Sequence, residues 1–321
     1  MSISEFDLIR RFFAEATLAR PDVLLGIGDD AALLCPPADK LVVVSMDTLV
    51  EGRHFLPGCD PAALGHKSLA VNLSDLAAMG AEPAWATLSL TLPEADERWL
   101  SGFIGGFAGL AASHKVQLVG GDTTRGPLSI TVQAHGLVAA DRALRRAAAS
   151  PGELLCVSGT PGDAGLALDR LAHGAPDTEM SDYLRERLER PTPRVALGRI
   201  LVGRASAAID ISDGLVADLR HICVASSVGA RIELARLPVS AQVAAVCARG
   251  DWRYPLAGGD DYELLFSVAP ERSEALLRDC AAAGQQVRQI GRLVDGSEIT
   301  LVFPDGRVTK ELPDGFDHFD R

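Results

Sequence analysis

Hydrophobic and polar positions alternate most cleanly over residues 85–92, WATLSLTL. Ala86, Leu88, Leu90 and Leu92 fall on one side, and Thr87, Ser89 and Thr91 on the other. A period of two predicts a half-buried strand. Residues 41–50, LVVVSMDTLV, are β-branched and apolar and predict another strand, with Asp47 near its end. Asp60-Pro61 then opens a helix, the carboxylate as cap and the proline in the first turn, and Gly80 closes it. Within that helix Ser68, Asn72 and Asp75 recur at i, i+4 and i+7 and share a face, which is read as a solvated stripe. A helix over residues 94–113, a strand running into Val119-Gly120-Gly121-Asp122 and a strand over residues 128–138 complete the first half. Beyond the turn signal Ser150-Pro151-Gly152, strands are expected at residues 153–158, 209–214, 230–235, 261–268 and 286–294, with helical stretches interrupted by Pro191 and Pro193. The pattern predicts an α/β (α+β) chain of two domains with mixed sheets, residues 1–149 and 150–321.

Length agrees with that division, since 321 residues exceed one ordinary core. Hydrophobic residues at 47% and charged residues at 23% are the balance of a folded globular chain. The 31 lysines and arginines against 43 acids give a net charge of −12, which repels phosphate backbones and sets nucleic acid aside as a partner. The six cysteines stand singly, at positions 35, 59, 156, 223, 247 and 280, without a Cys-x-x-Cys pair. They are read as small core residues in a reducing compartment. The opening MSISEFDLIRRFF lacks the pattern of a secretory signal, and no apolar run reaches the roughly 18 residues of a membrane span. A cytoplasmic chain is expected.

Candidate chemistry begins at Gly26-Ile27-Gly28-Asp29-Asp30-Ala31. This fits the dinucleotide fingerprint in letters only: Cys35-Pro36-Pro37 leaves no room for the helix that must follow, and adjacent carboxylates repel a pyrophosphate. The chain also lacks a P-loop lysine. If it handles ATP, a hard cation held by carboxylates must neutralise the phosphates instead. Acid-rich segments suited to that recur at Asp29-Asp30, Asp47, Asp75, Gly121-Asp122, Asp210-Ile211-Ser212-Asp213 and Gly259-Asp260-Asp261, mostly at strand ends or beside glycine. Each taken alone is equally a turn former or a helix cap. His54 is open between packing and catalysis, and Arg142, Arg145 and Arg146 between a solvated loop and a phosphate clamp.

Read together and in order, GIGDDAAL, VVSMDTLVEGRHF, LGHKSLAVNLSDLAAMGAEP, VGGDTTRG, DISDGL, AGGDDYELLF and the terminal GFDHF resemble the bacterial thiamine-monophosphate kinases. These are relatives of aminoimidazole ribonucleotide synthetase. The resemblance implies phosphorylation of thiamine monophosphate to thiamine diphosphate, with ATP as co-substrate and several Mg²⁺ ions. It implies a homodimer formed through the sheet of an N-terminal domain that also binds ATP and metal. By position it assigns Asp30, Asp47, Asp75, Asp122, Asp210 and Asp213 to magnesium, with Ser45 and Met46 at metal-contacting positions. Asp30, Asp47 and Asp122 are the expected catalytic carboxylates. Gly121, Asp122, Arg146 and Ser212 match ATP contacts, and His54, Glu263 and Phe319 match the thiamine side.

An anionic phosphate oxygen needs no strong base, so direct in-line transfer without a phosphoenzyme is expected. Two other readings stay in view: an aminoimidazole ribonucleotide synthetase-like enzyme of the same superfamily, and a catalytically silent nucleotide-binding protein.

Overall fold

The computed structural model describes residues 5–173 and 181–316. The chain divides into two compact units, one from residues up to Leu76 with Ala81–Asp141, the other from Ala77–Gly80 with residues from Arg142 onward. Among the described residues, the elements run α1 (Glu5–Leu8, continued by a π-turn at Ile9–Phe13), β1 (Val23–Leu25), β2 (Leu33–Leu34), β3 (Lys40–Val50), α2 (Pro61–Ala78), β4 (Glu82–Leu92), α3 (Glu97–His114), β5 (Gln117–Arg125) and β6 (Ser129–Ala139). They continue as β7 (Leu154–Ser158), α4 (Asp163–Ala172), α5 (Asp182–Glu189), α6 (Val195–Leu201), β8 (Ala207–Asp210), α7 (Leu215–Ser226), β9 (Gly229–Glu233), α8 (Ala241–Cys247) and α9 (Arg253–Ala257). The last are β10 (Leu264–Val268), α10 (Pro270–Ala282), β11 (Val287–Val294), β12 (Ile299–Val302) and β13 (Val308–Thr309).

The first unit is built on a mixed sheet of order β3-β6-β4-β5, in which only β4 and β5 run parallel. Strand β4 follows its alternation: Ala86, Leu88, Leu90 and Leu92 are buried, and Thr87, Ser89 and Thr91 only partly so. Helix α2 begins as its cap predicts, with Asp60 accepting the N–H groups of Ala62 at 3.2 Å and Ala63 at 3.1 Å. Its polar stripe is not solvated, however: Ser68 and Asn72 are buried and Asp75 half-buried. The physical reason is that buried apolar rows flank it on both sides, Leu69, Leu73 and Leu76 on one and Leu64, Val71 and Ala78 on the other. Helices α2 and α3 approach backbone to backbone. A methyl at Gly65 would sit 1.9 Å from the Phe103 carbonyl oxygen, and one at Gly106 would sit 1.8 Å from that of Ala62.

The second unit carries a sheet of order β13-β12-β9-β11-β7-β10-β8, antiparallel except at β12–β9. Its core joins Leu155, Val157, Ile209, Leu219, Ile222 and Leu265. Strand β10 starts at Leu264 rather than at residue 261, because Asp260 (φ 61°) and Tyr262 (φ 52°) are left-handed and break the pleat. Strand β8 likewise ends at Asp210, so Ile211–Gly214 form a loop. Four cysteines are buried as expected, but Cys35 is exposed and Cys59 only partly buried. Cys35 lies where the chain leaves β2 toward Pro36 and Pro37, at the surface. Among the described residues, no helix is long and apolar enough to cross a membrane.

Candidate active site

Strand β3 and helix α2 bring two of the expected carboxylates together. Ser45 Oγ donates to Asp75 Oδ2, and Asp47, two residues along the same face of β3, hydrogen-bonds to the Asp75 side chain. Burial, the charge of Asp75 and that hydrogen bond push Asp47 up to about 7. Met46 projects to the opposite face and is exposed, so only its backbone carbonyl suits a hard cation. Just past β3, His54 Nδ1 accepts the Val50 N–H at 3.0 Å. A neutral ring must then carry its proton on Nε2.

A second group of expected residues lines a cavity of about 600 Å³ in the same unit, walled by Gly28, Asp29, Asp30, Gly121 and Asp122 together with Ile9 and Phe13. Asp30 and Asp122 are exposed there. Gly121 has φ 155°, and a methyl on it would meet the Leu88 carbonyl oxygen at 1.9 Å, so β5 passes β4 at a distance only glycine allows. Among the described residues no three His, Cys, Asp or Glu side chains gather into a ready-made metal cage.

In the second unit, Asp210 ends β8, buried, and Ser212 and Asp213 lie half-buried on the loop that follows. The loop is tied to the segment before β10. Asp260 N–H donates to Ser212 O, Tyr262 N–H to Ile211 O, and Ile211 N–H to Glu263 O, each at 2.8 Å. From below, Asp218 Oδ2 accepts the N–H groups of Ser212 (3.0 Å), Asp213 (3.1 Å) and Gly214 (3.2 Å). Arg146 is exposed, and its carbonyl is held at 2.7 Å by Ser226 Oγ at the far end of α7.

Glu263 is fully buried. Arg194 Nε reaches its Oε2 at 2.6 Å, Arg194 Nη2 its Oε1 at 2.5 Å and Arg187 Nη2 its Oε1 at 2.8 Å, while Ser158 Oγ donates to Oε2 at 2.5 Å. Burial by itself would raise this carboxyl, but the hydrogen bond and charge of Arg194 and the charge of Arg187 hold it below the usual range. Neighbouring Asp261, buried and accepting Gly162 N–H at 2.8 and 3.0 Å, is instead pushed well up by burial. Asp218, Arg187, Arg194 and Ser158 were not singled out from the sequence. Phe319 lies outside the described residues.

Residues 28–138 match the N-terminal domain, and residues 150–304 the C-terminal domain, of the AIR synthase related protein family. The chain is 48% identical to a thiamine-monophosphate kinase of Escherichia coli (strain K12) over 99% of each chain. It superposes with a TM-score of 0.87 on the crystal structure of a thiamine-monophosphate kinase from Stenotrophomonas maltophilia K279a, which is 47% identical, covering 96% of this chain and 99% of that one. A solved structure of AaThiL complexed with AMPPCP and TMP aligns at a TM-score of 0.77 and 32% identity over 99% of both chains.

Proposed function

The chain belongs to the thiamine-monophosphate kinase family, and from that premise we infer that it transfers the γ-phosphoryl group of ATP to thiamine monophosphate, yielding ADP and thiamine diphosphate. The observation that carries this reading is kinship along the whole chain with a protein complexed with AMPPCP and TMP.

The acceptor is already an anionic phosphate oxygen, so the barrier lies in bringing two anions in line rather than in removing a proton. The donor set suits magnesium. Asp47 and Asp75 are two hard carboxylates kept close enough that one resists ionising without a cation beside it. Asp30, Ser45, the Met46 carbonyl, Asp47, Asp75, Asp122, Asp210 and Asp213 are the proposed ligands. Bound there, magnesium supplies neutralisation of the phosphate charge that builds between donor and acceptor. Gly121 and Asp122 line the nucleotide cavity, Gly121 letting the backbone come close to phosphate oxygens. In the second unit Ser212 and Arg146 are the proposed nucleotide contacts, a hydroxyl and a guanidinium suited to phosphate oxygens. His54 offers an Nε2–H donor on the thiamine side, with Phe319 as a stacking surface. Glu263 is the proposed thiamine-side contact of the second unit, held in one conformation by Arg187, Arg194 and Ser158.

The proposed partner of the first unit is a second copy of the chain. Strand β3 is an edge strand whose Leu41, Val42, Val44 and Met46 side chains are exposed, an apolar edge of the kind that proteins cover. The first unit is thus read as the ATP- and metal-binding, dimerising domain. Cysteines that form no disulfide fit a cytoplasmic enzyme.

Purified protein with ATP, Mg²⁺ and thiamine monophosphate, assayed for thiamine diphosphate by chromatography, tests the function. Free thiamine and an aminoimidazole ribonucleotide precursor serve as alternative substrates. Product that needs both magnesium and the monophosphate supports the assignment. Turnover only of the precursor, or nucleotide binding without any turnover, rejects it.

A further inference from the structure

Asp218 sits at the start of α7, is 3% exposed, and spends one carboxylate oxygen on three consecutive peptide N–H groups, those of Ser212, Asp213 and Gly214. A carboxylate taking three N–H bonds fixes the tilt of three successive peptide planes. With the N–H groups turned toward α7, the carbonyls of the same loop face other partners. Ser212 O takes the Asp260 N–H at 2.8 Å, and Asp213 O takes the Phe316 N–H at 3.1 Å. The last of these fixes Phe316 against the loop. Gly315 lies so near that a methyl on it would be 2.9 Å from Asp213 O and 2.5 Å from the Ala217 side chain.

We propose that Asp218 is a positioning residue for phosphoryl transfer. By orienting the Ser212–Gly214 peptides it presents Ser212 and Asp213 to the nucleotide in one conformation, and through the Asp213 carbonyl it holds Phe316 against the same loop. The proposal rests on the reading of this loop as part of the nucleotide and metal site. It makes one buried side chain responsible for the conformation of the loop that carries Ser212 and Asp213. An Asp218 that only stabilised the fold would not serve that conformation in particular.

The test compares Asp218→Ala and Asp218→Asn with the unaltered protein. Binding of a non-hydrolysable ATP analogue with Mg²⁺ is measured by calorimetry, KM and kcat by steady-state assay, and amide hydrogen exchange by mass spectrometry. Asp218→Ala is expected to weaken analogue binding about tenfold or more. It should also raise KM for ATP and speed exchange at residues 212–214 and at Phe316, with sheet amides unchanged. Asp218→Asn keeps an acceptor oxygen and should stay within about threefold of the unaltered protein in binding. If Asp218→Ala fails to fold, Asp218→Ser takes its place in the same comparison. Unaltered binding and exchange in Asp218→Ala or Asp218→Ser overturn the proposal. So does Asp218→Asn losing binding in step with a general loss of exchange protection. Asp213→Asn is the control for the premise: if it leaves analogue and magnesium binding intact, the reading of the loop fails and the proposal falls with it. If Asp213→Asn weakens binding and the Asp218 variants do not, the proposal alone falls.

Discussion

The carboxyl groups of Asp47 and Asp75 hydrogen-bond across the boundary between β3 and α2, and Ser45 donates to the same Asp75 side chain. Burial first, and then the charge of Asp75, moves Asp47 from an ordinary 3.8 to about 7. A folded-state value above the unfolded one stabilises the protein at low pH and loses that contribution as pH rises. The window runs from about 4 to about 7. In chelator, the melting temperature of the unaltered protein relative to Asp47→Asn should therefore fall across that window and level off above it. The part owed to Asp47 is on the order of 1–3 kcal/mol after allowance for solvent screening. Asp47→Asn should flatten this part of the profile. Added Mg²⁺ should restore stability most above pH 7. Scanning calorimetry of both proteins at several pH values checks the sign, and a melting-temperature difference that shifts in favour of the unaltered protein as pH rises in chelator would contradict it.

Asp47→Asn and Asp122→Asn should each lower kcat/KM by about a hundredfold or more while leaving far-UV circular dichroism unchanged, since the loss is of charge rather than of packing. Near-normal turnover in both variants would remove them from the catalytic carboxylates.

Replacing Arg194 with alanine takes away two of the hydrogen bonds that hold buried Glu263 ionised. Arg187 and Ser158 still hold the carboxylate, but with fewer partners than its burial demands, so Arg194→Ala should destabilise the protein by about 1–3 kcal/mol in urea melts. Adding Glu263→Gln should recover part of that loss. Strict additivity of the two changes would mean that the pair does not interact.

If β3 meets a second copy of the chain, a charge placed on its exposed apolar edge should split the assembly. Val44→Lys is expected to halve the mass measured by light scattering, with the monomeric fold retained. An unaltered protein already at monomer mass would exclude the interface.

Much of the fold is legible because it rests on local patterns. The alternation of β4 and the Asp60 cap of α2 are decided by neighbours in sequence, and both occur where the pattern puts them. The departures come from contacts across long separations. The buried face of α2 reads as an ordinary polar stripe because nothing local says that Leu69, Leu73 and Leu76 flank it inside the core. The two left-handed residues before β10 follow from pairing with Ile211–Ser212, about fifty residues earlier. The arginines that enclose Glu263 stand 76 and 69 residues away in the chain, so nothing local shows that its carboxylate sits in an ion-pair cage. Asp218 had a local signal, an acid four residues after the glycine of the Asp213-Gly214 turn, but an acid in a first helical turn is too common to single out.

The crossing of α2 and α3 sets how Asp75 is aimed. Where side chains interdigitate, helices can creep along one another by small repacking steps; where carbonyls lie against bare α-carbons, as at Gly65 and Gly106, they cannot. Rotating α2 by a single residue would swing Asp75 through about 100°, away from Ser45 and Asp47. The two glycines work as a detent, a mechanical stop that indexes the helix. Drift in sequence is therefore expected to spare positions 65 and 106 as strictly as the carboxylates themselves, although neither glycine touches a substrate.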